Sequence, residues 1–572
     1  MNRNLIKQAR GEEPADLVLK NCKVINVFTK TIEVEDIAIS NGVILGTGKY
    51  FGKKEIDYSD FFVSPGLIDG HCHIESSMVT PSEYAKIVMP TGTTTVIADC
   101  HEIANVCGKV GVKYMIDSAK KIPLDVFQMI PSCVPSTEFE TSGATLTSKD
   151  IAELKNLDSV LGLGEMMNYP GVIEGDNEVH NKLDAYSDRM IDGHAPSVFG
   201  KDLNAYVLSG IKTDHECTHP LELIDKVKRG MYIHLREGSQ TRNVIDLLPG
   251  IHDSYISRLL FCSDDLHPSD ILKDGHINNN INIAIKHGLD PISAIQMATI
   301  NIGQCYNLKG YGAIAPGYLA DLIVFKDLNN IKPVYVYKKG KLVAENGKAL
   351  FESKPVVESA VLNTVHFDIK DFNYKYNLKS GFVNVIQLVK NNITTRKHIE
   401  VVDLVDGDIN LKNSNGILKL FVVERHHNTG NVGKALLSGY GLKNAAIALS
   451  IAHDSHNIIV VGDNEKDIIL ALNKIKEMTG GIVLVSQGKI IDSLRLEVAG
   501  LMTNEPATHV KEKLEYMEKM ARNFGVSKDI VDPFLSLGFL SLPVIPDIKC
   551  TDKGLFDVRN FKIIPLEAGE DL

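Results

Sequence analysis

Pro65-Gly66-Leu67-Ile68-Asp69-Gly70-His71-Cys72-His73-Ile74 reads as a short apolar strand whose C-terminal end carries His-x-His. Residues i and i+2 of a strand point to the same face. The imidazoles of His71 and His73 can therefore reach one metal ion together. A histidine pair at the mouth of a parallel strand commonly opens a metal site. It sets an expectation: further ligands should follow at the ends of later strands.

Working outward along the chain, they do. The run 160–165 is apolar and ends in Glu165, 189–194 ends in His194, and a turn-containing run over 206–214 ends in His215. The run 259–265 ends in Asp264-Asp265. Each is bounded by Gly, Pro or polar residues, and the intervening stretches are long enough for helices. This alternation indicates β/α units. Functional side chains at the C-terminal ends of successive strands point to an α/β fold built on a (β/α)8 TIM-like barrel.

The order His-x-His, strand-end Glu, His, His, Asp resembles the amidohydrolase superfamily. The stretches GLIDGHCHIESSMVTP, ADCHEIANVCG, GLGEMMNYPGVI, DGHAP, TDHEC and HDSHNIIVVG are similar to those of the bacterial adenine deaminases within it. The likeness extends over most of the chain. It implies hydrolysis of adenine to hypoxanthine and ammonia by a metal-bridged hydroxide, in purine salvage or adenine catabolism. It also implies two divalent ions, manganese or iron with zinc as the alternative, held by His71, His73, Glu165, His194, His215 and Asp264. Many amidohydrolases bridge their metals with a carboxylated lysine, but Gly164-Glu165-Met166 has no lysine. Glu165 is then the bridge, as in adenine deaminases, and Asp264 the proton carrier. Asp265 competes with Asp264 as the ligand, and Ser263-Asp264 fits the family wording better.

Two other motif readings fail. His215-Glu216-Cys217-Thr218-His219 matches the zinc-protease pattern, which needs both histidines on one helical face. Pro220 follows at once and biases His219 away from helix. His73-Ile74-Glu75 matches half of a nucleobase-deaminase signature, but the P-C-x-x-C half is absent. Substrate-facing candidates are His101 and Glu102 after the strand ending at Asp99, and Arg236 after His234. Glu75 either lines the pocket or caps a helix. His453 and Asp454 belong to a polar cluster after a strand in the C-terminal part. It is either a solvated loop or, as the resemblance implies, a loop facing the active site.

At 572 residues the chain exceeds one domain. A net charge of −11 argues against nucleic-acid backbone binding, which needs a basic face. No apolar run reaches the ~18 residues that span a bilayer, and no apolar signal core follows Met1. Nine scattered cysteines without a C-x-x-C pair suggest reduced thiols and a cytoplasmic protein. Adenine is the expected partner, with no membrane, no nucleic acid and a homo-oligomeric assembly. Alternating apolar residues over 16–48, a strand-like run over 317–325 and a hairpin over 334–343 suggest one small β-domain, 1–60 with 312–355. It would flank a barrel at 61–311. Strand candidates 382–388, 417–423 and 445–451 and helix candidates 466–478 and 506–524 suggest a C-terminal α/β domain at 356–572. The rival readings are another amidohydrolase acting on a cyclic amide or N-acyl bond, and a non-catalytic scaffold. A scaffold should have lost ligands, and all six candidates are present.

Overall fold

The computed structural model of the chain describes residues 3–390, 392–411 and 416–569. Eight short parallel strands carry the motif residues: β1 (Leu67–Cys72), β2 (Thr93–Asp99), β3 (Asp125–Ile130), β4 (Val160–Met166), β5 (Met190–Gly193), β6 (Thr213–Asp214), β7 (Tyr232–Arg236) and β8 (Leu259–Cys262). β1 to β5 pair in chain order, as do β6 to β8. The seam between β5 and β6 is crossed by the Lys212 amide, which donates to the Ile191 carbonyl over 3.0 Å. The other seam is closed by a parallel bridge between Cys72 and Asp264. There Asp264 N–H donates to His71 O over 3.0 Å, and His73 N–H donates to Asp264 O over 3.3 Å. Barrel closure itself therefore brings Asp264 beside the first histidine pair. Every residue of β1 and β2 is buried, as expected for parallel strands covered on both faces.

β6 is much shorter than the 206–214 run suggested. Tyr206 lies in the helix Gly200–Leu208, and Gly210 at φ +101° turns the chain before the strand starts. Likewise only Leu322–Phe325 of the run 317–325 is strand, because Gly317 turns at φ +86°.

The flanking segments meet in one nine-stranded sheet. Leu322–Phe325, after the barrel, pairs antiparallel with Phe62–Pro65, before it, in the register Leu322↔Pro65 to Phe325↔Phe62. The hairpin Tyr335–Lys338 and Lys341–Glu345 turns on Lys339 and Gly340, both with positive φ, the backbone twist a two-residue loop needs.

The C-terminal region is β-rich. Its eight-stranded sheet is antiparallel except where Phe382–Leu388 runs parallel to Val432–Ser438. Side chains alternate between two cores. Leu418, Leu420 and Val422 join the apolar cluster that continues into the barrel, whereas Phe421 and Val423 pack in a second cluster. Helix Glu465–Met478 buries Ile468, Ala471, Leu472 and Ile475 in that second cluster, at helical spacing. The sheet thus docks on the barrel with one face and is covered by its own helix on the other. All nine cysteines are unpaired, and among the described residues no helix is long and apolar enough to cross a membrane.

Candidate metal centre and active site

Glu165, at the end of β4, sits at the centre of the site. Its Oε1 faces His73 Nε2 at 3.3 Å and His71 Nε2 at 3.7 Å. Its Oε2 faces His194 Nδ1 at 2.7 Å and His215 Nε2 at 3.2 Å. The two oxygens therefore address two different histidine pairs. Asp264 Oδ1 completes the first group, 3.3 Å from His73 Nε2 and 3.9 Å from His71 Nε2. All six residues named from the sequence converge here.

The donor chemistry fits cations. His73 Nδ1 lies 2.9 Å from the Asp99 carbonyl oxygen, which can only accept, so Nδ1 carries the ring proton. In the neutral ring Nε2 is then a bare lone pair. It points at His71 Nε2 3.2 Å away and at two carboxylate oxygens. Lone pairs and carboxylates converging in a buried space repel unless positive charge lies between them. Three groups drawn from these residues have ligand atoms close enough to share an ion: His71, His73 and Glu165; His71, His215 and Asp264; and Glu165, His194 and His215.

Backbone scaffolding decides where Glu165 points. Asp99, at the end of β2, accepts from Glu165 N–H at 2.9 Å through Oδ2 and from His101 N–H at 3.1 Å through Oδ1. A Cβ on Gly164 would lie 2.0 Å from Asp99 Oδ2, so this approach requires glycine. Gly164→Ala should cost roughly 1–3 kcal/mol of stability by overpacking and lower activity by shifting Glu165. Thermal unfolding and turnover of that variant check both. Beneath β1, Asp69 accepts from His71 N–H at 3.2 Å and from Ser263 N–H at 3.0 Å, tying β1 to β8 below the ligands. A Cβ on Gly70 would lie 2.7 Å from His234 and 3.0 Å from the Phe261 carbonyl, which explains the glycine within the Asp-Gly-His motif.

Asp264 adopts φ +58°, a conformation Asp tolerates better than most residues. Arg236 Nη1 donates to Asp264 Oδ2 over 2.5 Å, leaving Oδ1 toward the histidines. Burial would raise the Asp264 carboxyl, but Arg236 and His73 hold it well below the usual carboxylate range. Burial likewise opposes charge on Glu165, and His215 and His194 hold it well below that range. Both carboxylates are ionised at neutral pH. Asp265 also lines the cavity, but its Oδ1 accepts from Ser76 Oγ at 2.5 Å.

Arg236 also grips Glu216, with Nη1 2.5 Å from Oε1 and Nη2 2.9 Å from Oε2. Its guanidinium lines the cavity but is committed to two carboxylates, so it holds protein groups rather than pointing freely at a ligand. Glu216 Oε1 lies 3.4 Å from His215 Nε2, a position that sequence reading saw only as the middle of a failed protease motif. In that motif His219 is an extended, exposed N-cap of the helix Pro220–Lys228, so the two histidines never share a helical face. Lys226, fully buried, donates to Ala195 O, Asp214 Oδ2 and Glu222 Oε1 at 2.7, 2.9 and 2.8 Å. It ties the loop after His194 to the strand end before His215, a role that its place in an ordinary helix did not reveal.

Above the ligands opens a cavity of about 520 Å³, lined by residues of the barrel and of the C-terminal domain. His101 and Glu102 open helix α1 (His101–Ala119) directly after β2 and line it, as do His453 and Asp454. Glu75 does not. Its Oε1 accepts from Ile103 N–H at 3.2 Å, so it caps the following helix α1 rather than its own short turn. Four atoms of cavity-lining residues, His101 Nδ1, Arg236 Nε, His453 Nε2 and Asp454 Oδ2, have no hydrogen-bond partner among the described residues.

Comparison with known proteins bears on this geometry. The sequence pattern of the Amidohydrolase family matches residues 62–343, and that of the Adenine deaminase C-terminal domain matches 392–562. The adenine deaminase of Clostridium acetobutylicum is 48% identical over 565 residues, covering 98% of this chain and 99% of that one. The chain belongs to the adenine deaminase family. Adenine deaminase 2 of Carboxydothermus hydrogenoformans is 46% identical over 565 residues and covers 99% of each chain. The Geobacillus kaustophilus adenine deaminase is 43% identical over 572 residues, again with 99% of each chain covered. The family assignment thus spans the metal-centre half and the C-terminal half alike.

Proposed function

We propose that this protein hydrolyses adenine to hypoxanthine and ammonia. The observation that carries the chemistry is the pair of Glu165 oxygens facing two separate histidine pairs. Family membership supplies the substrate. His71, His73, Asp264 and Glu165 would hold one divalent ion, and Glu165, His194 and His215 a second. Bound there, such ions lower the pKa of water toward neutrality and polarise the reacting carbon. The donors are nitrogen and oxygen only, a set suited to manganese, iron or zinc.

The chain's own groups do the rest. Asp264 Oδ1 accepts a proton from the attacking water and returns it to the departing amine. The C6–N6 bond breaks, C6 gains oxygen and ammonia leaves. Arg236 keeps the carboxylate ionised and fixes its free oxygen. Asp454 Oδ2 is the acceptor available to a ring N–H of the base.

Ammonia release tests the reading, measured on adenine beside other purines and cyclic amides. Chelated protein should be inactive. Reloading with one metal at a time should restore adenine turnover and rank the metals. Turnover of a cyclic amide with none of adenine would overturn the substrate assignment.

A further inference from the structure

Glu102, His453 and His456 form a second buried cluster whose ligand atoms lie close enough to hold an ion. Hydrogen bonding argues against a third metal there. The Ala452 backbone N–H donates to His456 Nδ1 over 3.2 Å, so that nitrogen must offer a lone pair. In the neutral ring the proton is then on Nε2, which faces Glu102 Oε2 as a donor. Burial lowers the His456 pKa to about 4 and keeps the ring neutral. Both His456 nitrogens are spent, and its role is to hold the Glu102 carboxylate.

His453 differs. Its Nδ1 lies 2.8 Å from Glu102 Oε1, which draws a proton to Nδ1. One ring face stacks on Phe539, with centroids 4.6 Å apart and planes at 12°. Its backbone N–H donates to Gly538 O at 3.1 Å, and its carbonyl accepts from Ser541 Oγ at 3.2 Å. The ring is held at Nδ1 and on one face, and the backbone that carries it is anchored on both sides. Its Nε2 is buried, has no partner among the described residues, and belongs to a side chain that lines the cavity above the metal ligands. A fixed, unpartnered polar atom in such a place is arranged for a ligand.

We propose that His453 is a substrate-contacting residue supplied by the C-terminal domain, donating its Nε2 proton to a ring nitrogen of the purine, with Glu102 as the positioning residue that sets the ring. Burial opposes charge on His453, but Glu102 and the nearby Asp265 and Asp454 raise its pKa to about 9, which agrees with both nitrogens carrying protons. The C-terminal domain then completes the pocket rather than only bracing the barrel. This proposal rests on the purine deaminase reading.

The test compares wild type with His453→Phe, which keeps the stack but removes the donor. Apparent affinities for 1-, 3- and 7-deazaadenine are measured by competition against adenine turnover. In wild type, loss of the contacted nitrogen should weaken binding by about 10- to 100-fold, the worth of a hydrogen bond to a charged group. In His453→Phe that penalty should vanish while those for the other two positions persist. Glu102→Gln should shrink the same penalty and no other, and it carries the readout if the Phe variant fails to fold. Wild type that deaminates adenine, with all three penalties unchanged in the variants, would overturn the proposal alone. Wild type that neither binds nor deaminates any purine would overturn the functional reading beneath it.

Discussion

Glu165→Gln is expected to reduce bound metal from about two ions per chain toward one and to abolish nearly all turnover. The reason is charge. Glu165 is a buried carboxylate with one oxygen on each histidine pair. A neutral amide presents one oxygen and one NH2 group, and that NH2 would aim its N–H donors at nitrogens that need their lone pairs. One cation is then left with weaker coordination, and the other faces a repelling dipole. The activity loss should exceed the roughly 10²–10⁴-fold expected for deleting a general acid–base group alone. Metal analysis beside adenine turnover reads both effects. Full activity with two ions per chain would remove Glu165 from the bridging position.

Asp264→Asn should keep the fold and lose turnover by roughly 10²–10⁴-fold. The fold should survive because the closing contacts at this position are backbone ones, between Asp264 and the amide and carbonyl groups of His71 and His73. Asn is also at ease at positive φ. What disappears is the negative oxygen facing His73 and the charge that Arg236 compensates. Arg236 would keep its bidentate grip on Glu216, which limits the structural cost. The expected signature is a fall in kcat with an unfolding temperature close to wild type. Near-normal turnover would move proton transfer to another cavity group, with His101, Glu102 and Asp265 the nearest candidates.

Much of the fold was legible because it rests on local rules, and the six-residue centre was legible from those rules together with the family resemblance. Strand-end positions are read from apolar runs, and His-x-His follows from the two-residue repeat of a strand. The gaps in legibility have physical causes. β6 is only Thr213–Asp214, too short for any periodic signal, so its run seemed longer than the strand it contains. Asp99 and Gly164 are 65 positions apart in number, and nothing local shows that a carboxylate of one strand occupies the space a Cβ would need on another. Glu216 stood out only as the middle of a failed protease motif, and no local pattern marks Lys226, yet Lys226 is fully buried among carboxylates.

The amino-acid sequence by itself placed candidate ligands after apolar runs, a reading that depends on neighbours within a few residues, and the family resemblance grouped them into one set and favoured Asp264 over Asp265. Tertiary structure alone decided which ligand faces which. Barrel closure set Asp264 against His71 and His73, and Asp99 turned Glu165 so that its oxygens divide between two pairs. Docking of the C-terminal sheet carried His453 to Glu102, 351 positions away, and shaped the open side of the cavity. Those contacts join segments that share no local pattern, so only the packed chain, in which buried polar groups must find partners, could fix them.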